Sequence, residues 1–271
     1  MDRLAFKTGL SALALAASCA AALPARAAEA YVNYDGFSGT NIDDTRWLGS
    51  ERLRMVKSGV LYHSQRDLGD QTSNVGSTPT NHGTDFDEPA RVLQMSAVVT
   101  VTAWDASTCA ANVGSVASAR ARLIGSFFNA GPQTPGSRVN DVVAQARIYR
   151  DTASTDAAGV LRVLGMVSLC TSADCEQTLA IGTAGLGTAT LAQAVKLRLD
   201  WDKANKRFVF TRDSQPALSV PYAQADSLAP SQPIKSLQTR TDLPNCFGGP
   251  RTWASIDANF DNVSVNVSAT P

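Results

Sequence analysis

The sequence has 271 residues, and its 24 Lys and Arg residues balance 24 Asp and Glu residues, so the formal net charge is zero. Proteins that bind nucleic acid through its phosphates carry a strong positive bias, and this balance argues against that class of partner. After residue 27 no segment approaches the ~20 consecutive apolar residues of a membrane-spanning helix, so the sequence predicts no membrane span.

The first 27 residues have the features of an export signal. Two basic residues, Arg3 and Lys7, precede an apolar run over residues 10–23, and residues 25–27 fit the small-x-small cleavage pattern. An alternative is lipidation at Cys19, although the preceding residues lack the usual leucine. We therefore expect a periplasmic or secreted protein whose remaining residues, 28–271, form a single domain.

The first part of the mature chain predicts short strands and one long loop. Residues 31–47 contain a short strand and a turn, and residues 57–65 contain a turn followed by a strand that includes His63. Residues 67–89 are polar, rich in Gly, Thr, Asn and Asp, and show no periodicity. They predict a long loop, and loops of this length are often functional or mobile.

Alternating apolar and polar residues then recur at regular intervals. The period of two predicts strands over residues 91–104, 118–128, 141–150, 160–169 and 177–182. Residues 194–210 predict an antiparallel hairpin, because Leu197, Leu199 and Trp201 alternate with charged residues before a five-residue turn at 202–206. A final strand is predicted over residues 254–266.

This pattern predicts an all-β fold. No segment has a long apolar stripe of period 3.6 with helix caps, so helix content should be low. Eight or more antiparallel strands joined by polar turns indicate two packed sheets, that is, a two-sheet antiparallel β-sandwich.

Four cysteines remain after the signal, and an even number in an exported chain implies two disulfides. Cys170 and Cys175 enclose only four residues, so a local bridge is the simplest pairing. That pairing leaves Cys109 with Cys246. A zinc site is disfavoured, because the spacing lacks the paired C-x2-C motif.

The chain contains several short motifs: a D-x-F-S-G-T-x-I-D run (Asp35, Phe37, Ser38, Gly39, Thr40, Ile42 and Asp43), Trp47, an S-G-V-L strand (residues 58–61), an L-R-L-D-W-D…F-V-F hairpin (residues 197–210) and an F-D-N-V-S-V strand (residues 260–265). Together these motifs resemble the concanavalin A-like lectin/glucanase superfamily, in its LamG-like jelly-roll form. The resemblance implies a jelly-roll sandwich. Members of the superfamily include sugar-binding modules, glycoside hydrolases, polysaccharide lyases and adhesion domains, so the fold does not decide the function.

The resemblance also implies a structural calcium that joins the first and last strands. The matching positions are Asp35 or Asp43 near the N-terminal turn and Asp261 near the C-terminus. Calcium takes six to eight oxygen ligands, including backbone carbonyls that a sequence does not reveal. The alternative is that Asp35 and Asp261 cap turns by accepting hydrogen bonds from backbone amides.

Catalytic residues of the superfamily are not evident in this chain. Its retaining glycosidases carry an E-x-D-x-x-E strand motif, and none of the four glutamates here lies in such a pattern. A lyase needs a base and a cation that neutralises the sugar carboxylate. The only histidines are His63 and His82. An enzymatic alternative would therefore use an unrecognised site around His82, Asp85, Asp87 and Glu88.

The polar faces of the middle strands give the leading hypothesis. Arginine and glutamine bind hydroxyls and carboxylates, while aromatic rings stack on sugars. If these strands are neighbours, their polar faces form a groove for a glycan or another extracellular polymer. The alternatives are an ordinary solvated sheet face in a structural or adhesion module, or an enzyme on the same fold. The candidate ligand-binding residues are Trp104, Arg120, Arg122, Gln145, Arg147 and Tyr149.

Overall fold

A computed structural model describes residues 29–38, 46–48 and 54–269. The predicted export signal lies outside these residues. The described strands are β1 (Tyr31–Asp35), β2 (Trp47–Leu48), β3 (Arg54–Lys57), β4 (Val60–Leu68), β5 (Ser77–Phe86), β6 (Gln94–Ala106), β7 (Ser118–Asn129), β8 (Asp141–Asp151), β9 (Val160–Cys170), β10 (Thr178–Thr190), β11 (Ala194–Asp202), β12 (Arg207–Arg212), β13 (Leu218–Pro221), β14 (Lys235–Pro244) and β15 (Trp253–Asn266). Two short 3-10 helices cover Pro89–Arg91 and Val267–Ala269.

These strands form two sheets. The eight-stranded sheet has the order β13-β12-β11-β6-β15-β4-β3, with β1 also paired to β15. The seven-stranded sheet has the order β10-β9-β8-β7-β14-β5-β2. Every strand pairing is antiparallel. The predicted fold class, an all-β two-sheet antiparallel β-sandwich, is confirmed.

The core lies between the sheets and follows the alternation of the sequence. Successive side chains of a strand point to opposite faces, so every second residue of a half-buried strand is apolar. The predicted hairpin is formed by β11 and β12, and Leu197, Leu199 and Phe210 are fully buried. Asp202 pairs with Arg207, so the turn comprises residues 203–206 and is one residue shorter than predicted.

An aromatic cluster fixes the end of β7. A β-bulge between Ser126 and Phe128 allows Phe127 and Phe128 both to be buried. The ring centroid of Phe128 lies 5.4 Å from that of Trp201. The ring of Phe127 lies 5.0 Å from that of Phe208. Contacts of this kind contribute about 0.5–1.5 kcal/mol beyond the burial of their area, and they hold β7 firmly against the opposite sheet.

Both predicted disulfide pairings are confirmed. Cys109 and Cys246 are bonded, with Cα atoms 5.7 Å apart, and link the segments that follow β6 and β14. Cys170 and Cys175 are bonded, with Cα atoms 4.8 Å apart, and close the connection between β9 and β10. Within the described residues no helix has the length and apolar character needed to cross a bilayer.

The prediction of a structureless loop over residues 67–89 is wrong, because β5 occupies its second half. This strand pairs with β14 from Ser77 to Asp85. Its inward face combines the buried ring of Phe86 with polar groups. Thr84 Oγ1 lies 3.0 Å from His63 Nε2, and the backbone carbonyl of Thr80 accepts a bond of 2.9 Å from Gln65. Since most of the strand is polar on both faces, its sequence lacks the usual alternation.

Candidate functional site

The outward faces of β8, β7 and β14 bring four arginines together. These strands are consecutive in the seven-stranded sheet. Arg147 on β8 lies directly opposite Arg122 on β7, and Arg120 on β7 lies directly opposite Arg240 on β14. The register therefore places the four side chains in two adjoining rows. The arginine pocket consists of these residues and three neighbouring amides: Arg120, Arg122, Arg147, Arg240, Asn81, Gln145 and Gln238.

The register places positively charged side chains face to face across neighbouring strands. Residues directly opposite each other in an antiparallel pair have Cβ atoms about 4.5–5.5 Å apart, and like charges at such positions destabilise a sheet. Two such pairs, Arg122 with Arg147 and Arg120 with Arg240, lie side by side here.

Arg122 lies at the centre of the pocket and is only 4% exposed. It donates to Gln238 Oε1 through Nε (2.7 Å), to Gln145 Oε1 through Nη1 (2.9 Å) and to Asn81 Oδ1 through Nη2 (2.8 Å). All three acceptors are neutral amide oxygens. Burial, together with the charge of neighbouring arginines, lowers the pKa of Arg122 well below its usual range. Its positive charge is thus positioned by dipoles but not neutralised.

The other three arginines have fewer partners. Arg240 binds Asp242 at 2.7 Å and Glu176 at 3.1 Å, and Asp242 also pairs with Arg120. The guanidinium of Arg147 lies over the ring of Tyr149, 4.6 Å from its centroid. Its Nε is buried and has no hydrogen-bond partner among the described residues, and the same is true of Arg120 Nε. The four arginines therefore contact two carboxylates, which leaves the pocket positively charged.

A short loop covers the pocket. The disulfide strap comprises residues 171–177, closed at its base by the Cys170–Cys175 bond. The carbonyl of Ala173 accepts a hydrogen bond of 2.8 Å from the backbone N–H of Arg138. Together with this loop, the sheet encloses a cavity of about 210 Å³ that is lined by the arginine pocket, Arg138 and three residues of the strap, Asp174, Cys175 and Glu176. Arg138 adds another positive charge at its edge.

Five of the six predicted ligand-binding residues lie together. Arg120, Arg122, Gln145 and Arg147 line this cavity, and Tyr149 packs against Arg147. The predicted placement of Trp104 beside them is wrong, because Trp104 lies on β6 in the other sheet.

A β-bulge explains the position of Trp104. Asp257 and Ala258 of β15 pair with Ala103 and Val101, so β6 contains one extra residue. The extra residue shifts the alternation, and Trp104 packs against the core beneath the guanidinium of Arg150, 5.5 Å from its ring.

Several pocket residues were missed by the sequence analysis. Arg240 and Gln238 belong to β14, and Asn81 belongs to β5, neither of which was predicted as a strand. The segment Gln238-Thr239-Arg240 repeats the spacing of Arg120-Ala121-Arg122, and this repeat was the available signal. Their meeting depends on the pairing of β7 with β14, which are distant in sequence.

The alternative cluster of His82, Asp85, Asp87 and Glu88 does not converge. His82 and Asp85 are three residues apart on β5 and therefore lie on opposite faces of the sheet. Asp87 and Glu88 follow the strand, and Glu88 pairs with Arg91 at 2.5 Å. These acids do not form a common site.

The predicted calcium ligands are only partly described. Asp43 lies outside the described residues. Asp35 Oδ1 accepts a hydrogen bond from the backbone N–H of Phe37, and Asp261 Oδ1 accepts one from Asn262. In the described part of the chain no three His, Cys, Asp or Glu residues form a group suited to a metal ion. The calcium assignment stays a prediction.

Comparisons with known proteins give distant structural matches. No protein-family model and no curated protein sequence matches the chain. Among solved structures, the alginate lyase Aly36B matches with a TM-score of 0.43 and 10% identity over 88% of this chain and 96% of its own. LamAcat from Zobellia galactanivorans matches with a TM-score of 0.44 and 8% identity over 89% and 98%. The winged bean acidic lectin bound to methyl-α-D-galactose matches with a TM-score of 0.39 and 12% identity over 87% and 98%.

Proposed function

We propose that this chain is an exported, non-catalytic β-sandwich that binds acidic carbohydrate polymers through the arginine pocket. The observation that carries the proposal is the pair Arg122 and Arg147. These two cations lie directly opposite each other, and neither forms an ion pair with an acid among the described residues. A guanidinium forms two parallel hydrogen bonds with a carboxylate or sulfate, which makes arginine well suited to such groups.

The neutral groups of the pocket favour a sugar acid over a bare anion. Asn81, Gln145 and Gln238 present amides beside the guanidinium groups, and amides bind sugar hydroxyls. The cavity of about 210 Å³ is below the 300–1,000 Å³ typical of drug-sized ligand sites. It therefore suits one acidic sugar residue of a polymer whose remaining residues lie outside.

Export is proposed on the basis of the two disulfides. Disulfides persist in oxidising compartments such as the periplasm and the extracellular space. Both bonds close connections at the ends of strands, as in the predicted framework. Membership of the concanavalin A-like superfamily is proposed on the sequence motifs together with the observed sandwich.

Calorimetric titration tests the proposal. Protein purified from an exporting host is titrated at low salt with polygalacturonate and alginate, and with dextran as a neutral polymer. We expect binding of the acidic polymers alone, weakening as salt screens the charges. Binding that is absent for every acidic polymer, or unchanged in Arg122→Ala, would overturn the proposal.

A second candidate is a polysaccharide lyase, favoured by the position of Tyr149. This residue lies opposite Arg120 on β7 and opposite Arg162 on β9, beside the proposed carboxylate site. In such a reaction the Tyr149 side chain, acting as the base, would take the proton from C5, the carbon next to the carboxylate. A double bond would form between C4 and C5 as the bond between C4 and the glycosidic oxygen breaks, and that leaving oxygen would gain a proton. Unsaturated products that vanish in Tyr149→Phe would favour this candidate over pure binding.

A further inference from the structure

The disulfide strap reaches across the arginine pocket. Glu176 belongs to the connection between β9 and β10, but its carboxylate lies 3.1 Å from Arg240 on β14 and 3.5 Å from Asn81 on β5. Two strands, β8 and β7, separate β9 from β14. Adjacent strands lie about 4.8 Å apart, so β14 lies roughly 14 Å from β9. The carboxylate of Glu176 therefore reaches about this far across the sheet from the strand that precedes it.

Glu176 differs from Asp242, the other acid that forms ion pairs with the four arginines. Asp242 lies on β14, two residues from Arg240, and its position is fixed by the sheet. Glu176 comes from a loop, and its contacts to the sheet are made by its side chain. It places a carboxylate against Arg240, within the pocket that the proposed ligand would enter.

The contacts of Glu176 are easily exchanged. Its side chain is 34% exposed, against 14% for Arg240. Ion pairs with exposed members contribute little to stability, and the contact with Asn81 lies at the limit of hydrogen-bond length. A ligand acid that forms two parallel bonds with a guanidinium would replace these contacts at small cost.

Displacement of the strap would also enlarge the site. With Glu176 in place, the cavity of about 210 Å³ is bounded on one side by strap residues. Release of Glu176 from Arg240 and Asn81 removes this boundary on the side of β14 and β5. A polymer could then extend across the sheet.

We infer that Glu176 is an internal competitor: its carboxylate occupies the anion position at Arg240 and Asn81, on one side of the arginine pocket, and an acidic polymer that extends over this side must displace it. This inference rests on the proposed function and adds a device that sets its affinity. It also identifies the residues most affected by ligand, since Arg240 and Asn81 exchange one carboxylate for another.

The substitution Glu176→Gln tests the inference, because it removes the charge and keeps the shape. The matched control is Glu88→Gln, which removes the same charge from an exposed ion pair with Arg91 outside the pocket. Both variants and the unaltered protein are titrated with trigalacturonate at low salt. We expect Glu176→Gln to bind about three- to tenfold more tightly, with Glu88→Gln within about twofold of the unaltered protein.

The salt dependence provides a second measurement. The advantage of Glu176→Gln should shrink as salt rises, because screening weakens the competing ion pair. Unchanged or weaker binding by Glu176→Gln, while the unaltered protein still binds in a manner that depends on Arg122, would overturn the inference and leave the proposed function standing. Absence of binding by all three proteins, in contrast, would overturn the proposed function itself.

Discussion

The outward faces of the two sheets both carry arginines, but the partners of these arginines differ. On the eight-stranded sheet, Arg198 pairs with Asp200 at 2.7 Å and Arg207 pairs with Asp202 at 2.8 Å, each with an acid close in sequence. On the seven-stranded sheet, Arg122 binds amides and Arg147 covers Tyr149, and neither forms an ion pair among the described residues.

This difference distinguishes a solvated surface from the proposed binding surface. Local acids neutralise arginines at little cost when the function of the charge is solubility. An arginine that is buried without an acid lowers stability, and such a residue persists where a ligand supplies the missing charge. Substitutions that remove a single arginine or add a single acid test this difference between the two faces.

Removal of Arg122 should have the largest effect. Loss of a buried, hydrogen-bonded charge at an interface typically costs 2–5 kcal/mol, so we expect Arg122→Ala to weaken polygalacturonate binding by about 100-fold. Arg122→Lys keeps the charge but lacks the planar fork of the guanidinium, so its affinity should lie between those of the unaltered protein and Arg122→Ala. Titration gives the affinities, and thermal unfolding checks that each variant folds; a loss below about threefold for Arg122→Ala would contradict this assignment.

An acid introduced beside Arg147 should reduce the difference between the arginines of the two sheets. Leu164 on β9 lies directly opposite Arg147. Leu164→Glu would give Arg147 the partner that arginines of the other sheet have, and we expect about tenfold weaker polymer binding with a stability gain of about 0.2–1 kcal/mol. Leu164→Gln is the control of similar shape; if it weakens binding equally, the effect is steric and the electrostatic account fails.

A fall in pH should lower the stability of the fold, through the buried His63, while the arginines keep their charge. Burial lowers the pKa of His63 to about 3, from 6.5 when unfolded. The folded state then binds fewer protons than the unfolded chain, so stability is fully present above pH 6.5 and declines as pH falls towards 3, by at most about 1.4 kcal/mol per pH unit.

Denaturant titrations between pH 6 and pH 4 check this prediction. His63→Gln should show a flatter pH dependence than the unaltered protein over this range. Polymer binding by the folded protein should persist, because guanidinium groups stay charged. A parallel pH dependence in the two proteins would assign the decline to other groups.

Removal of an arginine from the opposite face should have the smallest effect. Arg207 is 44% exposed, and its partner Asp202 also accepts from Asn205. We expect Arg207→Ala to change polymer affinity by less than about twofold and stability by less than about 1 kcal/mol. A large loss of binding would mean that the eight-stranded sheet takes part in recognition.

The sequence predicted those strands that bury an apolar face. Strand β7 was expected at residues 118–128 and spans Ser118–Asn129, and β8 was expected at 141–150 and spans Asp141–Asp151. In both, small or branched apolar residues point inward at every second position, and burial enforces that alternation. The arginine rows of these two strands could therefore be predicted.

The rest of the pocket depends on features that a local pattern does not contain. The inward faces of β5 and β14 carry the buried residues Thr84, Thr239 and Thr241, which interrupt the apolar period of the two strands. Their pairing joins segments far apart in sequence. The error at Trp104 has different causes, because β6 belongs to the other sheet and a bulge in β6 reverses the alternation before Trp104.

The central position of β15 has a consequence for the order of folding. This last strand lies between β4 and β6 and also pairs with β1, so the eight-stranded sheet depends on residues 253–266 for its middle. Contacts between segments so distant in the chain form slowly. We expect the nascent chain to lack a stable eight-stranded sheet until residues 253–266 have been synthesised and have paired with β4 and β6.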